Sequence, residues 1–212
     1  SPSGPFTIAN LNVTTLAFKD TGDFNLFVDD DGQAYIIYTG ALTVDFSSKP
    51  RSFSIRVAHI AGPEPSHRMS IERLTPDYLA TEGTKASTGY FGDSFVEAPS
   101  LFKRNNVYYA LFGQCCCFCG AGSAVRFYTA KSPLGPWTPG ALITGAIPAQ
   151  QLTVITARTT NGTAWIWQGD RWQSAPDRIK AHDFVYQGVL QFDAAGNLLA
   201  MPWRDSFTLD LP

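Results

Sequence analysis

One unit recurs four times along the chain and restricts its fold more than any other feature: an apolar strand, a turn of Asp, Asn or Gly, and an aromatic or apolar strand. The turns fall near residues 30, 105, 161 and 195. The first carries Asp23-Phe24-Asn25-Leu26-Phe27-Val28 through Asp29-Asp30-Asp31-Gly32 into Gln33-Ala34-Tyr35-Ile36-Ile37-Tyr38. Asp-Gly between two apolar runs is a strong hairpin signal, because both residues tolerate the left-handed backbone of a tight turn. The second joins Leu101-Phe102-Lys103 to Val107-Tyr108-Tyr109-Ala110-Leu111-Phe112 across Arg104-Asn105-Asn106. The third turns at Asn161-Gly162 into Ala164-Trp165-Ile166-Trp167. The fourth joins Val189-Leu190-Gln191-Phe192 to Leu198-Leu199-Ala200-Met201-Pro202-Trp203 over Asp193-Ala194-Ala195-Gly196. Degenerate hairpins at this spacing predict an all-β chain built from β-propeller blades, with a β-sandwich as the competing arrangement.

Between these units, Phe53-Ser54-Ile55-Arg56-Val57-Ala58-His59-Ile60 alternates as a half-buried strand. Met69-Ser70-Ile71-Glu72-Arg73-Leu74 reads as the outer strand of the first sheet. Ala124-Val125-Arg126-Phe127-Tyr128-Thr129-Ala130 reads as a third strand of the second, ending in the turn Ser132-Pro133-Leu134-Gly135-Pro136-Trp137. No long period-3.6 pattern interrupts this series. With 212 residues, 44% of them hydrophobic and 16% charged, residues 1–212 suffice for a single domain with a sizeable core. The net charge of −2 argues against nucleic acid or an anionic membrane as partner. No apolar run reaches the ~18 residues a membrane span needs. With no initiator Met and no signal peptide, the chain reads as a mature or trimmed product.

Within Ser94-Phe95-Val96-Glu97-Ala98-Pro99-Ser100, Glu97 is a lone carboxylate in an apolar run. Phe95, Val96 and Pro99 are expected to strip its hydration and raise its pKa, as suits a general acid, the bland alternative being a solvated acid at a strand start. In a propeller the residues just before each blade's innermost strand face the central funnel. That geometry would gather Asp23, Glu97 and Gln150 from three blades.

All four cysteines lie in Cys115-Cys116-Cys117-Phe118-Cys119. The CxxC lacks further metal ligands nearby, since His59, His67 and His182 are distant in sequence, so no metal is expected. Disulfides suit a secreted chain better, pairing across the loop or with another segment. Asn12-Val13-Thr14 and Asn161-Gly162-Thr163 are glycosylation sequons, the second at a turn that accommodates a glycan. The triple Asp is read as a turn rather than a calcium loop, which needs greater length and a distal Glu. No cofactor is therefore expected, calcium being the alternative. His182 reads as a satisfied surface histidine. Asp170 and Arg171 read as a buried pair at a blade corner, and Trp137, Trp172 and Trp203 as inter-blade packing or, at a funnel mouth, sugar-stacking aromatics.

The order Asp23, Phe27 to Tyr35, Val96-Glu97-Ala98-Pro99 with Tyr108-Tyr109, then Gly135-Pro136-Trp137, resembles glycoside hydrolase family 43. Leu74-Thr75-Pro76-Asp77-Tyr78-Leu79, the Gln150 stretch and Gly169-Asp170-Arg171-Trp172 resemble its exo-β-1,3-galactanase branch. The resemblance implies a five-bladed propeller with about four blades present in this chain, and a secreted, inverting hydrolase of β-1,3-linked galactose in an oligo- or polysaccharide. It implies Glu97 as general acid, Asp23 as the carboxylate that tunes it, and Gln150, or else Gln151, in the base position. That glutamine would place the water or act as its imidic-acid tautomer. Inversion sets acid and water-positioning group ~6.5–9.5 Å apart. Cys115 and Trp137 are further candidates for the sugar site. A first blade ahead of Ser1 is expected as another segment or chain, or its place is taken by self-assembly through disulfides. The competing function is a non-catalytic structural or carbohydrate-binding glycoprotein on a truncated propeller.

Overall fold

A computed structural model describes residues 3–11, 20–41, 67–114, 124–143, 147–179, 182 and 184–212. Among the described residues ten strands follow one another: β1 (Asp20–Val28), β2 (Ala34–Ala41), β3 (Arg68–Arg73), β4 (Val96–Arg104), β5 (Val107–Gln114), β6 (Ala124–Ala130), β7 (Thr138–Ile143), β8 (Gln150–Thr159), β9 (Gly162–Asp170) and β10 (Val185–Val189). They form three antiparallel sheets in the orders β1-β2-β3, β4-β5-β6-β7 and β8-β9-β10. Each sheet is a sequential meander, the blade of a propeller. The first strands β1, β4 and β8 pack on one another in turn.

The turn chemistry places the hairpins. The Gly32 amide donates to the Asp29 carbonyl at 2.9 Å, and Gly32 takes a φ of 85° that its lack of a Cβ permits. Asn105 and Asn106 both adopt left-handed φ, the demand of a two-residue hairpin loop. Of the four repeated units, three become sheets. The fourth closes through an isolated bridge between Phe192 and Leu198, while the strand that completes the third sheet begins earlier, at Val185. The strand expected over residues 53–60 lies outside the described residues.

The core comprises two layers, one on each face of the middle sheet. Tyr108, Ala110 and Phe112 point toward the first sheet, joining Tyr35, Ile37, Met69, Ile71, Val96 and Leu101. Tyr109 and Leu111 point the other way, joining Phe102, Val125, Phe127, Trp167 and Tyr186. A strand buried on both faces needs apolar residues at every position, which is why residues 107–112 show no polar alternation. By contrast Phe24, Leu26 and Val28 on β1 are each more than half exposed.

The first two sheets are also tied by charge. Lys103 Nζ donates to Asp29 Oδ1 at 2.7 Å and to Asp30 Oδ2 at 2.8 Å, and the Tyr108 hydroxyl donates to Asp29 Oδ2 at 2.5 Å. Burial pushes the Asp29 carboxyl up, but the hydrogen bonds from Lys103 and Tyr108 outweigh it and hold the carboxyl below its ordinary range. A pKa lowered by folding stabilises above the unfolded value, near 3.9, and that stabilisation is lost as pH falls through the folded value. Asp29→Asn is therefore expected to cost about 1–2 kcal/mol at neutral pH. In urea unfolding, its difference from wild type should shrink between about pH 7 and about pH 3.

Candidate functional site

Each of the three inner strands carries one extra residue near its start. On β1, Gly22 and Asp23 together face Thr39, because the pairing passes from Thr21↔Gly40 to Phe24↔Tyr38. On β4, Ala98 and Pro99 face Phe112, between Glu97↔Gly113 and Ser100↔Leu111. On β8, Leu152 is the extra residue between Gln151↔Gly169 and Thr153↔Gln168. Bulges bend a strand and re-aim its side chains. Here all three occur at one end of the inner strands, beside Asp23, Glu97 and Gln150.

Around the second bulge the backbone is strained: Phe95 and Ala98 hold φ of 59° and 51°, unusual for residues with a Cβ. The Ala98 amide donates to Asp23 Oδ2 at 3.0 Å, so Asp23 grips the backbone one residue beyond Glu97. Glu97 lies within β4 rather than ahead of it. Val96 and Pro99 are buried and Phe95 is 54% exposed, while the Glu97 side chain keeps 25% of its surface.

Both carboxylate oxygens of Glu97 are engaged. Gln150 Nε2 donates to Oε2 at 3.3 Å. The indole of Trp172 donates to Gln150 Oε1 at 2.7 Å, which fixes the amide with its nitrogen toward Glu97. Oε1 faces His67 Nδ1 at 3.1 Å. The hydrogen bond to Glu97 raises the His67 pKa above its ordinary value against the opposing effect of burial, and the negative charges of Glu97 and Asp23 add to the rise.

This arrangement corrects one expectation. The ~6.5–9.5 Å separation of acid and water-positioning group is not the geometry observed, because the Gln150 amide and the Glu97 carboxylate hydrogen-bond directly. A donor and an anion on neighbouring inner strands pair because leaving either unmade is costly. Gln151, the alternative to Gln150, points away into the core, 1% exposed, with its Oε1 bonded by the Trp167 indole. That indole ring covers Gly169, where a Cβ would stand 2.2 Å from it.

Trp137 is not brought to this cluster. It stacks on Phe91 at 5.4 Å, and Thr138 beside it pairs with Thr129, at the end of the sheet opposite Val96 and Gln114. Trp203 lies against Tyr186, with the Arg171 guanidinium over its ring and donating to the Ser174 carbonyl. His182 is exposed and paired with Asp177 at 2.5 Å. Asn161 is exposed in the β8–β9 turn. Asn12 and Cys115, Cys116, Cys117 and Cys119 lie outside the described residues. Among the described residues, no group of three or more His, Cys, Asp or Glu side chains is placed to hold a metal ion, and no helix is long and apolar enough to cross a membrane.

Sequence reasoning missed His67 and assigned Trp172 only to packing or stacking. Trp172 was within reach of hairpin arithmetic: a turn at Asn161-Gly162 brings Gln150 opposite Arg171, next to Trp172, and the bulge at Leu152 shifts that partner to Asp170. Nothing in the sequence announces His67, which immediately precedes β3 of another sheet.

The sequence profile of glycosyl hydrolases family 43 matches residues 1–151. No curated protein matches significantly. Among solved structures, a family 43 β-1,3-galactosidase with galactodeoxynojirimycin is 22% identical, with a TM-score of 0.63 over 89% of this chain and 47% of that one. An exo-β-1,3-galactanase from Clostridium thermocellum is 22% identical, with a TM-score of 0.59 over 84% of this chain and 33% of that one. A family 43 arabinoxylan arabinofuranohydrolase from Bacillus subtilis is 18% identical, with a TM-score of 0.62 over all of this chain and 44% of that one. At these identities the likeness is one of fold, and the chain spans less than half the length of each of the three.

Proposed function

The chain belongs to glycosyl hydrolases family 43, and we propose that it is a secreted enzyme removing terminal β-1,3-linked galactose with inversion. Glu97 protonates the leaving oxygen as the glycosidic C–O bond breaks and its electron pair goes to that oxygen. Gln150 places the attacking water, whose proton passes to solvent, since an amide is a poor base. Asp23 holds the bulged backbone that aims Glu97. Binding of the sugar breaks the Gln150–Glu97 hydrogen bond and moves the two side chains apart, which opens the room that inversion needs for a water.

The observation that supports this reading is the convergence of Asp23, Glu97 and Gln150, from three separate sheets, at one end of the inner strands. The galactanase-like segments of the sequence, and the β-1,3-galactosidase and exo-β-1,3-galactanase among the structural relatives, point to galactose as the sugar. The exposed row Phe24, Leu26 and Val28 is the face a further blade, a second chain or a second copy would cover.

The test is incubation of the purified chain with β-1,3-galactan, with arabinoxylan in parallel, followed by anomer-resolved NMR. The expected result is release of galactose, appearing first as the α-anomer. Release from arabinoxylan alone overturns the substrate. β-Galactose appearing first overturns inversion. A folded sample that binds galactan and releases nothing overturns the hydrolase in favour of a carbohydrate-binding propeller.

A further inference from the structure

We propose that a cleft at the far end of the inner strands is a second saccharide site, selective for a carboxylate-bearing sugar unit. The cleft has a volume of about 710 Å³ and is lined by residues of β1, β4, β8 and β9 and by the turn between β4 and β5. Glu97 and Arg104 stand seven residues apart on β4. At the ~3.3 Å rise of a strand, that puts the cleft about 20 Å from the candidate acid. The proposal takes from the family only that the chain meets saccharides, and it does not depend on hydrolysis.

Strand register sets two arginines on opposite walls. Phe102 belongs to the core layer between the second and third sheets, and Arg104, two residues on, shares its face of β4. On β8, Arg158 pairs with Thr163 and lies on the face of Val154 and Trp165, which pack against that same layer. Both arginines therefore turn toward one gap. Arg104 sits 4.3 Å from the centre of the Phe192 ring and 5.6 Å from that of Trp165, which fixes its position without neutralising it. Arg158 is exposed. Among the described residues neither forms an ion pair, while Arg73, Lys103 and Arg126 each do. Asp30 also lines the cleft, but Lys103 Nζ donates to its Oδ2 at 2.8 Å. Asp193, next to Phe192, has both carboxylate oxygens engaged by Asn197.

Two like charges facing one gap repel, and an anion between them relieves the repulsion. A planar guanidinium matches a carboxylate as a two-pronged donor, and a second one on the other wall meets the same group from its far side. The rest of the lining suits the hydroxyls of a sugar ring. Asn105 and Asn106, exposed at the turn, supply amide donors and acceptors, and Thr163 supplies a hydroxyl. The walls are tied before any ligand arrives: the Trp165 indole donates to the Lys103 carbonyl at 3.1 Å, joining the third sheet to the second. A neutral galactose unit would leave both arginines unpaired, whereas a uronate unit would pair them.

The experiment is an NMR titration of the purified chain with trigalacturonate, with galactotriose and inorganic phosphate in parallel. The reporter is the indole N–H of Trp165, which lines the cleft and is assigned with Trp165→Phe. Trigalacturonate is expected to shift it saturably, galactotriose to leave it unmoved, and phosphate to bind roughly tenfold or more weakly. Arg158→Gln, at an exposed side chain, is expected to weaken trigalacturonate roughly tenfold or more. Arg104→Lys keeps the charge over Phe192 but loses the fork, and is expected to weaken it severalfold. Glu97→Gln should bind it as wild type does, whether or not the chain hydrolyses galactan. An unmoved reporter, or binding indifferent to both arginine variants, overturns the site. Phosphate bound as tightly as trigalacturonate overturns the saccharide in favour of a simple anion. Loss of binding in Glu97→Gln moves the ligand to the candidate active site and overturns the proposal as well.

Discussion

Glu97→Gln is expected to keep the fold and to lose ~10²-fold or more of the rate of galactose release. The substitution is isosteric, and the side chain sits at the mouth of the inner strands with a quarter of its surface open. Its contacts are polar: the Gln150 amide on one oxygen and the His67 imidazole on the other. An introduced amide can satisfy one of these donors with its own oxygen and must turn its NH₂ toward the other, a loss of about one hydrogen bond, or ~1 kcal/mol. What it cannot do is give a proton to a leaving alkoxide. Far-UV circular dichroism should therefore match wild type, and the melting temperature should fall by only about 2–4 °C, while turnover collapses. A variant with full activity would remove Glu97 from the role of acid.

Trp167→Ala should produce the largest loss of stability. Trp167 is 1% exposed and sits where the second and third sheets meet, with Phe102, Tyr109, Phe127 and Tyr186 in the same core layer. Truncating a buried aromatic of this size costs about 3–5 kcal/mol. The indole N–H also donates to Gln151 Oε1, so the alanine removes a donor from a buried amide beside the candidate site. The total is comparable with the whole stability of an ordinary domain, ~5–15 kcal/mol. Trp167→Phe separates the two contributions: it keeps most of the packing, removes the N–H, and is expected to cost about 1–3 kcal/mol. Urea unfolding of both variants measures the difference, and a Trp167→Phe variant as stable as wild type would show that the hydrogen bond contributes nothing.

How much of this was legible in the sequence depended on how local the cause was. The turns at Asp29–Gly32, Asn105–Asn106, Asn161–Gly162 and Asp193–Gly196 were readable, because turn residues act on their own backbone. Residues 107–112 were readable as a strand, and the lack of alternation follows from burial on both faces. β7 was not. Pro139 and Gly140 speak for a loop, yet Pro is tolerated on the edge strand of a sheet, and a glycine is required where the Phe127 ring approaches to 2.1 Å from the place of a Cβ. Asp23, Glu97 and Gln150 could be gathered by the idea of a funnel, but not their contacts. The direct Gln150–Glu97 hydrogen bond, the grip of Asp23 on the Ala98 amide and the approach of His67 depend on how separate sheets pack, which no local pattern encodes.

The three bulges have a consequence that is most easily stated for the gene. A substitution in β1, β4 or β8 alters one side chain. Loss of a single codon at Gly22–Asp23, Ala98–Pro99 or Leu152 would erase the extra residue and restore unbroken alternation along that strand. Every side chain on one side of the deletion would then turn to the opposite face of its sheet. The reading frame would survive, and so would the turns. The site and one core layer would be lost together, which makes these the codons where a short in-frame lesion is least forgiven.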